Sequence, residues 1–471
     1  MCGIIGFFSK NQNDFFYIDY LRKLSIRGND GFGSAFYSKK TNKIEFVKSF
    51  DFNDVEKIKE LKPYYFLVGN SRAIPTTEMQ QGAQQDLINQ QPFENEEWII
   101  VHNGGISNDL VLREKYSIVT ESKVDSALLP DLFSKIGIIQ GLKEIDGSYA
   151  ICAFNKNTKT FWFGSNFMPL CYAFLNNDLY VASIPEMLPF TDVIKVNPYT
   201  LYEWDGINLK TFSLFRGELK KNVLVICSGG IDSVTTAYLY KHYGYDVSLL
   251  HFDYGHAAQE AERWSVQKIA SHLNVPLYIY DATTIFNGFK EFSLLLSQKK
   301  ADPTKQILDA ESTLSYVPNR NMIFASIAGG IAEVYGISKV ALGAQQMDGI
   351  AYPDNNVPFI ESIDRSFKYS LNWYTNVSFR APLIHLIKHE IVKLGLSLGV
   401  PYEYVCSCYY PELRDDQLYG CGECGCCQFR LLAFKMLGVK DPGKFLKDPT
   451  SSVSVKPIEV RVSEERYLPY M

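Results

Sequence analysis

Apolar and polar residues alternate in two different rhythms along this chain. Up to residue 213 the apolar positions come in short runs, such as Val101–Gly105, Ser148–Phe154 and Thr160–Phe163. Asn, Gly and Asp turns separate them, which predicts short strands. Stretches near Phe15–Leu24 and Val124–Ile136 predict helices between the strands. The Gln-rich stretch Gln80–Gln91 predicts a loop and is too short for a low-complexity domain. Arg216-Gly217-Glu218-Leu219-Lys220-Lys221 reads as a linker. From Asn222 onward, strand-like runs (Val247–Phe252, Leu277–Tyr280, Val340–Gly343) alternate with longer helical patterns (Ala258–His272, Met322–Tyr335). That alternation predicts a parallel sheet with helices on both faces. After Lys447 the chain is rich in Ser, Pro and charge, which predicts a loosely held tail. The expected divisions are 1–213, 222–447 and a tail at 448–471, α/β throughout.

Composition adds limits to this picture. The 471 residues are 46% hydrophobic and 21% charged, enough for sizeable cores. The net charge is −5, with no run of Lys or Arg longer than two, which favours a small-molecule or protein substrate over a polynucleotide. No signal peptide is expected before Cys2, and the apolar runs fall far short of a membrane span. Six of the ten cysteines crowd between Cys406 and Cys427, which favours metal binding in a reducing compartment. A cytoplasmic protein is expected.

Candidate chemistry gathers at three places. Ser228-Gly229-Gly230-Ile231-Asp232-Ser233 follows the apolar run Val223–Cys227 and opens a helical pattern. A strand, a glycine turn and a helix start aim backbone N–H groups at an anion, which suits phosphate. Ser228 and Ser233 add hydroxyl donors, and Asp232 suits Mg²⁺ or the phosphates, or simply a helix N-terminus. Second, Cys408 stands 13 residues before Cys421-Gly422-Glu423-Cys424-Gly425-Cys426-Cys427. Cys408, Cys421, Cys424 and Cys427 suit a structural Zn²⁺, with Cys406 and Cys426 as further thiols that leave the ligand set open. Third, Cys2 follows only Met1. With Met1 removed, its own α-amine can act as base for its thiol.

The strings carry two family resemblances. Ser228–Ser233 resembles the pyrophosphate-binding loop of the ATP pyrophosphatases. Cys2-Gly3-Ile4-Ile5-Gly6, Arg27-Gly28-Asn29-Asp30, Arg72, His102-Asn103-Gly104 and Ser122–Asp125 resemble the class II glutamine amidotransferases across nearly all of residues 1–213. That resemblance implies an N-terminal nucleophile hydrolase fold, a four-layer α/β/β/α sandwich. It implies that Cys2 attacks the glutamine amide and that Asn103 and the Gly104 N–H hold the oxyanion. Arg72 would pair with the glutamine carboxylate and Asp125 with its ammonium. Asn70 departs from the His usual in that family, and Gly105 from a bulkier residue.

Residues 222–440 resemble 7-cyano-7-deazaguanine synthase. The matching strings are Ser228–Ser233, Phe252–His256, Val317–Asn321, Tyr352-Pro353-Asp354, Pro382–Ile384 with Lys388, and Ser407–Tyr409 through Cys427 and Arg430. The resemblance implies a doubly wound sheet, use of ATP with Mg²⁺, and a 7-deazaguanine site holding Tyr254, Arg320, Asn321, Asp348, Tyr352, Asp354 and Lys388. Arg320 would neutralise a carboxylate or phosphate, Asp348 and Asp354 would accept from a guanine-like edge, and Lys388 would stabilise an acyl-adenylate.

Together the halves imply glutamine-dependent amidotransfer to the 7-substituent of a 7-deazaguanine, with ATP activation. Ammonia is mostly protonated at neutral pH, so release and use within one chain raise its effective concentration. Three alternatives stay open: an archaeosine-type conversion of a nitrile to an amidine in tRNA or DNA; conjugation of the base to a protein amine in an antiviral system; and a non-catalytic ligand-binding module. The expected partners are glutamine and a 7-deazaguanine, with a protein or nucleic-acid acceptor under the alternatives. A homo-oligomer and no membrane partner are expected.

Overall fold

The computed structural model describes residues 2–10, 23–54, 57–58, 63–73, 86–188, 190–216, 220–292, 296, 316–347, 352–371, 376–447 and 455–471. The chain divides into two compact units, 1–216 and 217–471.

In the first unit the period-2 pattern resolves into two antiparallel sheets. One has seven strands, built around β1 (Gly3–Phe8), β2 (Phe32–Ser38), β3 (Lys43–Ser49) and β4 (Tyr64–Ser71). The other has six, including β5 (Trp98–Ile106), β6 (Gly147–Asn155) and β7 (Thr160–Ser165). β1 shows why the sheet is buried on both faces. Ile4 and Phe8 enter the core between the sheets with Val101, Cys152 and Phe161. Ile5 and Phe7 turn to the opposite face and pack with Leu24, Ile58 and Met187. Alternation therefore supplies two cores from one strand.

Helices α1 (Asp109–Tyr116), α2 (Leu129–Ile136) and α3 (Ile138–Glu144) follow β5. The helix expected over Val124–Ile136 begins as a 3₁₀ turn at Asp125–Leu128 and continues as α2. Of the helix expected at Phe15–Leu24, residues 15–22 lie outside the described residues. The Gln-rich segment is only partly a solvated loop. Residues 80–85 lie outside the described residues, but Gln90 and Gln91 are buried. The Gln91 side chain donates to His102 O at 2.9 Å and accepts the His102 N–H, so it braces β5 from the side.

The second unit contains a five-stranded parallel sheet. Its strands are β8 (Asn222–Ile226), β9 (Asp246–Asp253), β10 (Leu277–Asp281), β11 (Lys339–Leu342) and β12 (Ser378–Arg380). Their order is β10-β9-β8-β11-β12, so the winding reverses between β8 and β11. The crevice beyond the strand ends at such a reversal is where doubly wound sheets bind ligands. Val223 and Val225 face α4 (Ile231–His242) and α5 (Gln259–Leu273). Leu224 and Ile226 face α6 (Arg320–Tyr335) and α7 (Val357–Ser370). α8 (Lys388–Ser397) and α9 (Gly425–Met436) complete the α4 side.

The tail corrects one expectation. Residues 455–471 are not loosely held. Tyr467 and Met471 are buried in the α4-side core, and Lys339 Nζ donates to Met471 O at 2.9 Å. The Arg466 guanidinium reaches Glu390 and the His385 carbonyl. Two apolar anchors and one Arg hold a segment that forms only two short 3₁₀ turns, Glu464–Arg466 and Leu468–Tyr470. No helix among the described residues is long and apolar enough to cross a membrane.

Candidate active sites

The first site forms where β1, β4 and β5 end. Cys2 precedes β1, and its Sγ accepts the Ala73 N–H at 3.4 Å. Arg27 Nε donates to Cys2 O at 3.2 Å. The Arg27–Gly31 turn is tied to Arg72 through Asp30 N to Arg72 O at 3.0 Å and Arg72 N to Gly31 O at 2.8 Å. The backbone thus brings the Arg-Gly-Asn-Asp string, Arg72 and Cys2 together. Burial raises the Cys2 thiol above its ordinary value, opposed by the Ala73 N–H and the Arg72 charge. A resting thiol of this kind needs a base before it attacks carbon.

Asn103 is buried, and its Nδ2 has no hydrogen-bond partner among the described residues. A buried, unpaired donor on a strand paired along its length suits an oxyanion. Gly104 has φ +147°, and a Cβ there would sit 1.9 Å from Ser148 O, so only glycine fits. Asp125 is fixed by the N–H groups of Ile106 (2.7 Å) and Ser126 (2.6 Å) and by the Ser126 hydroxyl (3.0 Å). His102 Nδ1 lies 2.7 Å from Ser126 Oγ, and burial lowers the imidazole pKa against the pull of Asp125, which keeps it neutral. Asn70, where the resembling family has His, donates to Gly3 O at 3.3 Å and hydrogen-bonds the Cys2 thiol.

The second site is a pocket of about 270 Å³ at the β8/β11 reversal. Ser228, Gly230, Asp232 and Ser233 form one side. Gly229 turns the loop at φ +82°, where a Cβ would meet Ser265 Oγ at 2.6 Å. Lys388 Nζ reaches both Asp232 oxygens, at 2.9 and 2.6 Å, so it stands on the phosphate-loop side of the pocket. The same pocket is lined by Tyr254, Arg320, Asn321, Tyr352 and Asp354. Asn319 adopts the left-handed conformation at φ +55° and starts α6 with Arg320 and Asn321. Asn321 N donates to Asp354 Oδ2 at 3.2 Å, and Asn321 Nδ2 to Asp354 O at 3.1 Å. Arg320 Nη1 lies 3.4 Å from the Tyr254 hydroxyl, whose pKa burial pushes up to about 12. Asp348 lies outside the described residues.

Sequence reasoning missed several lining residues. Tyr316 stands beside the Val317–Asn321 string, and its ring is parallel to Tyr352 at 6.3 Å. Its adjacency was a usable signal. His251 and Glu262 had none: they reach the pocket only through the placement of β9 and α5.

The thiols of Cys408, Cys421, Cys424 and Cys427 all lie within 4.8 Å of one another. Cys424 and Cys408 are 3.8 Å apart and Cys421 and Cys427 4.0 Å. Sulfurs on a tetrahedral zinc stand about 3.8 Å apart, so this set fits the ion. Backbone N–H groups of Tyr410 and Cys421 point at the Cys408 sulfur at 3.3 and 3.2 Å, which steadies a thiolate. Cys406 and Cys426 stand outside the set.

The family matches of the two units define an ATP-dependent enzyme with a glutamine amidotransferase domain. Residues 222–438 match the family described as Queuosine biosynthesis protein QueC, and residues 79–189 match a Glutamine amidotransferase domain. A protein named 7-cyano-7-deazaguanine synthase 2 from Sulfurisphaera tokodaii is 35% identical over 91% of this chain and 95% of its own. The chain belongs to the 7-cyano-7-deazaguanine synthase family. Another relative so named, from Sulfolobus acidocaldarius, is 33% identical over 94% of this chain and 100% of its own. The Nitratiruptor relative, 39% identical, matches 46% of this chain and 96% of its own, so it corresponds to about one unit. Among solved structures, the glutamine phosphoribosylpyrophosphate amidotransferase from B. subtilis covers 85% of this chain and 94% of its own at 15% identity and TM-score 0.38.

Proposed function

We propose that the chain uses glutamine and ATP to convert 7-carboxy-7-deazaguanine to its nitrile through the amide. Cys2 attacks the glutamine side-chain amide and releases ammonia. Asn103 and the Gly104 N–H hold the oxyanion, while Arg72 and Asp125 hold the glutamine backbone groups. In the second unit, the carboxylate oxygen of the deazaguanine attacks the α-phosphorus of ATP, and pyrophosphate leaves along the Ser228–Ser233 loop. Ammonia then forms the C–N bond, loses a proton, and AMP departs with the carboxylate oxygen. A second ATP adenylates the amide oxygen with loss of pyrophosphate; AMP then departs with that oxygen as the amide nitrogen gives up its two protons, no second ammonia adds, and the nitrile remains.

The observation that carries this reading is the division of one pocket between two chemistries. The phosphate loop with Asp232 and Lys388 and a second polar group of Arg320, Asn321, Tyr352 and Asp354 line the same pocket. An anion and a polar planar base fit side by side there. Lys388, already paired with Asp232, suits the α-phosphate of the adenylate rather than the base edge. Zn²⁺ would hold Cys408, Cys421, Cys424 and Cys427 and take no part in the reaction, because four thiolates leave no open position.

The test supplies isotope-labelled 7-carboxy-7-deazaguanine, ATP with Mg²⁺, and glutamine or ammonium. AMP, pyrophosphate and labelled amide and nitrile are expected from either nitrogen donor. A supplied nitrile converted to an amidine without AMP would select the archaeosine-type reaction instead. Label recovered on a protein amine would select conjugation, and no turnover of any kind a binding module.

A further inference from the structure

The phosphate loop is held from outside by the segment that carries the first zinc thiol. Cys406 N donates to Gly229 O at 2.9 Å. Ser407 Oγ accepts the N–H of Ile231, the first residue of α4, at 3.3 Å. Ser265 Oγ on α5 lies 3.0 Å from Gly229 O and 2.6 Å from Tyr404 O, so its single proton is shared between, or given to one of, the two carbonyls. The same segment is pinned from its other side. Arg430, on the helix that opens inside the zinc cluster, donates to Tyr402 O and Val405 O at 2.7 Å each. Its Nε and the second proton of Nη2 go to Asp441 at 2.7 Å each, and both side chains are buried.

A Ser-Gly-Gly loop has little conformational preference of its own. The first N–H groups of a helix have no partner within it. Ser407 satisfies one of them, and the Cys406 N–H fixes the carbonyl of the left-handed Gly229. The remaining loop N–H groups are thereby aimed in one direction before any phosphate arrives, which reduces the ordering cost of binding.

We propose that Tyr404–Cys408 is a positioning arm for the pyrophosphate loop, that Ser407 is its positioning residue, and that zinc loading sets nucleotide affinity as well as local fold. This rests on the ATP-binding reading of that loop. Neither the zinc nor Ser407 touches the reacting atoms; both act through the loop backbone.

The experiment measures binding of α,β-methylene ATP with Mg²⁺ to the full-length wild type, Ser407→Ala and Ser407→Thr. Loss of one hydrogen bond predicts about three- to tenfold weaker binding for Ser407→Ala. Ser407→Thr keeps the hydroxyl and should bind within about twofold of wild type, since the bond survives. Zinc content should be the same in all three, so the difference is not loss of metal. Equal affinity in wild type and Ser407→Ala, or a Thr variant as weak as Ala, overturns the proposal. A second arm needs no nucleotide. Amide hydrogen exchange is followed during graded chelation of zinc from the wild type. Faster exchange at Gly229–Ser233, with α6 still protected, is expected; unchanged exchange there, or simultaneous loss of α6, refutes the arm. If no protein binds the analogue, the ATP reading fails, and the exchange arm still decides the coupling.

Discussion

The two units hold their sites in opposite ways. In the first, the site residues lie beside or within antiparallel strands whose ladders already fix the backbone. Gly3 pairs with Ser71 and Asn103 with Ala150, so Cys2 and the Asn103–Gly104 edge are each one residue from paired backbone or within it. In the second, the site lies beyond the ends of parallel strands, on loops and the first turns of helices, with no ladder between them. Those loops are held by a Cys₄ cluster, by the buried Arg430–Asp441 pair and by Lys388 on Asp232. A site beside a ladder needs only one reactive group added to it. A loop site needs braces, and its chemistry is spread over several charged and polar groups. The first should therefore fail at a single atom, and the second should fail when a distant brace is removed.

The largest effect tests the single-atom claim. Cys2→Ala should lower glutamate release from glutamine by at least about a thousandfold, because the variant lacks the thiol that attacks the amide in the proposed reaction. Turnover with ammonium should be nearly unchanged. Glutamate release within tenfold of wild type would remove Cys2 from the mechanism.

The next tests the brace. Cys424→Ser should lose bound zinc, measured by elemental analysis. It should lower the stability of the second unit by several kcal/mol, roughly the scale of structural zinc sites. Glutamate release should persist, because its site draws no support from the cluster. A variant that keeps both zinc and the wild-type melting profile would erase the distinction between the units.

The smallest effect lies in the first unit and depends on pH. Burial lowers the pKa of His102, so the unfolded chain takes up a proton at higher pH than the folded one. Its contribution is fully present above the unfolded value of about 6.5 and is lost as pH falls toward the folded value, by up to about 1.4 kcal/mol per pH unit. His102→Asn should therefore show a shallower loss of stability than wild type from pH 6.5 to 5.5. Parallel melting curves for the two proteins across that window would show that His102 titrates alike in both states.

The amino-acid sequence determined more of this protein than its topology. Period-2 runs separated by turn residues become the strands β5, β6 and β7, and the alternation after Asn222 becomes the parallel sheet, because burial on one or both faces of a strand leaves a readable pattern. The Cys408, Cys421, Cys424 and Cys427 grouping was legible for a similar reason: ligand spacing in short turns is local geometry. The Ser228–Ser233 loop was equally local, a strand, a turn and a helix start in consecutive residues. What tertiary structure alone decided depends on long separations. Lys388 meets Asp232 across 156 residues, and Arg430 reaches Tyr402 and Val405 through the fold rather than along it. Gln91, polar in a Gln-rich stretch, is buried beside β5, where its amide ties both backbone groups of His102, which no local pattern announces. The tail after Lys447 reads as solvated by composition, yet Tyr467 and Met471 are buried in the α4-side core. Composition measures how much apolar surface a segment carries; whether two apolar residues find a core to enter is decided by the shape of that core.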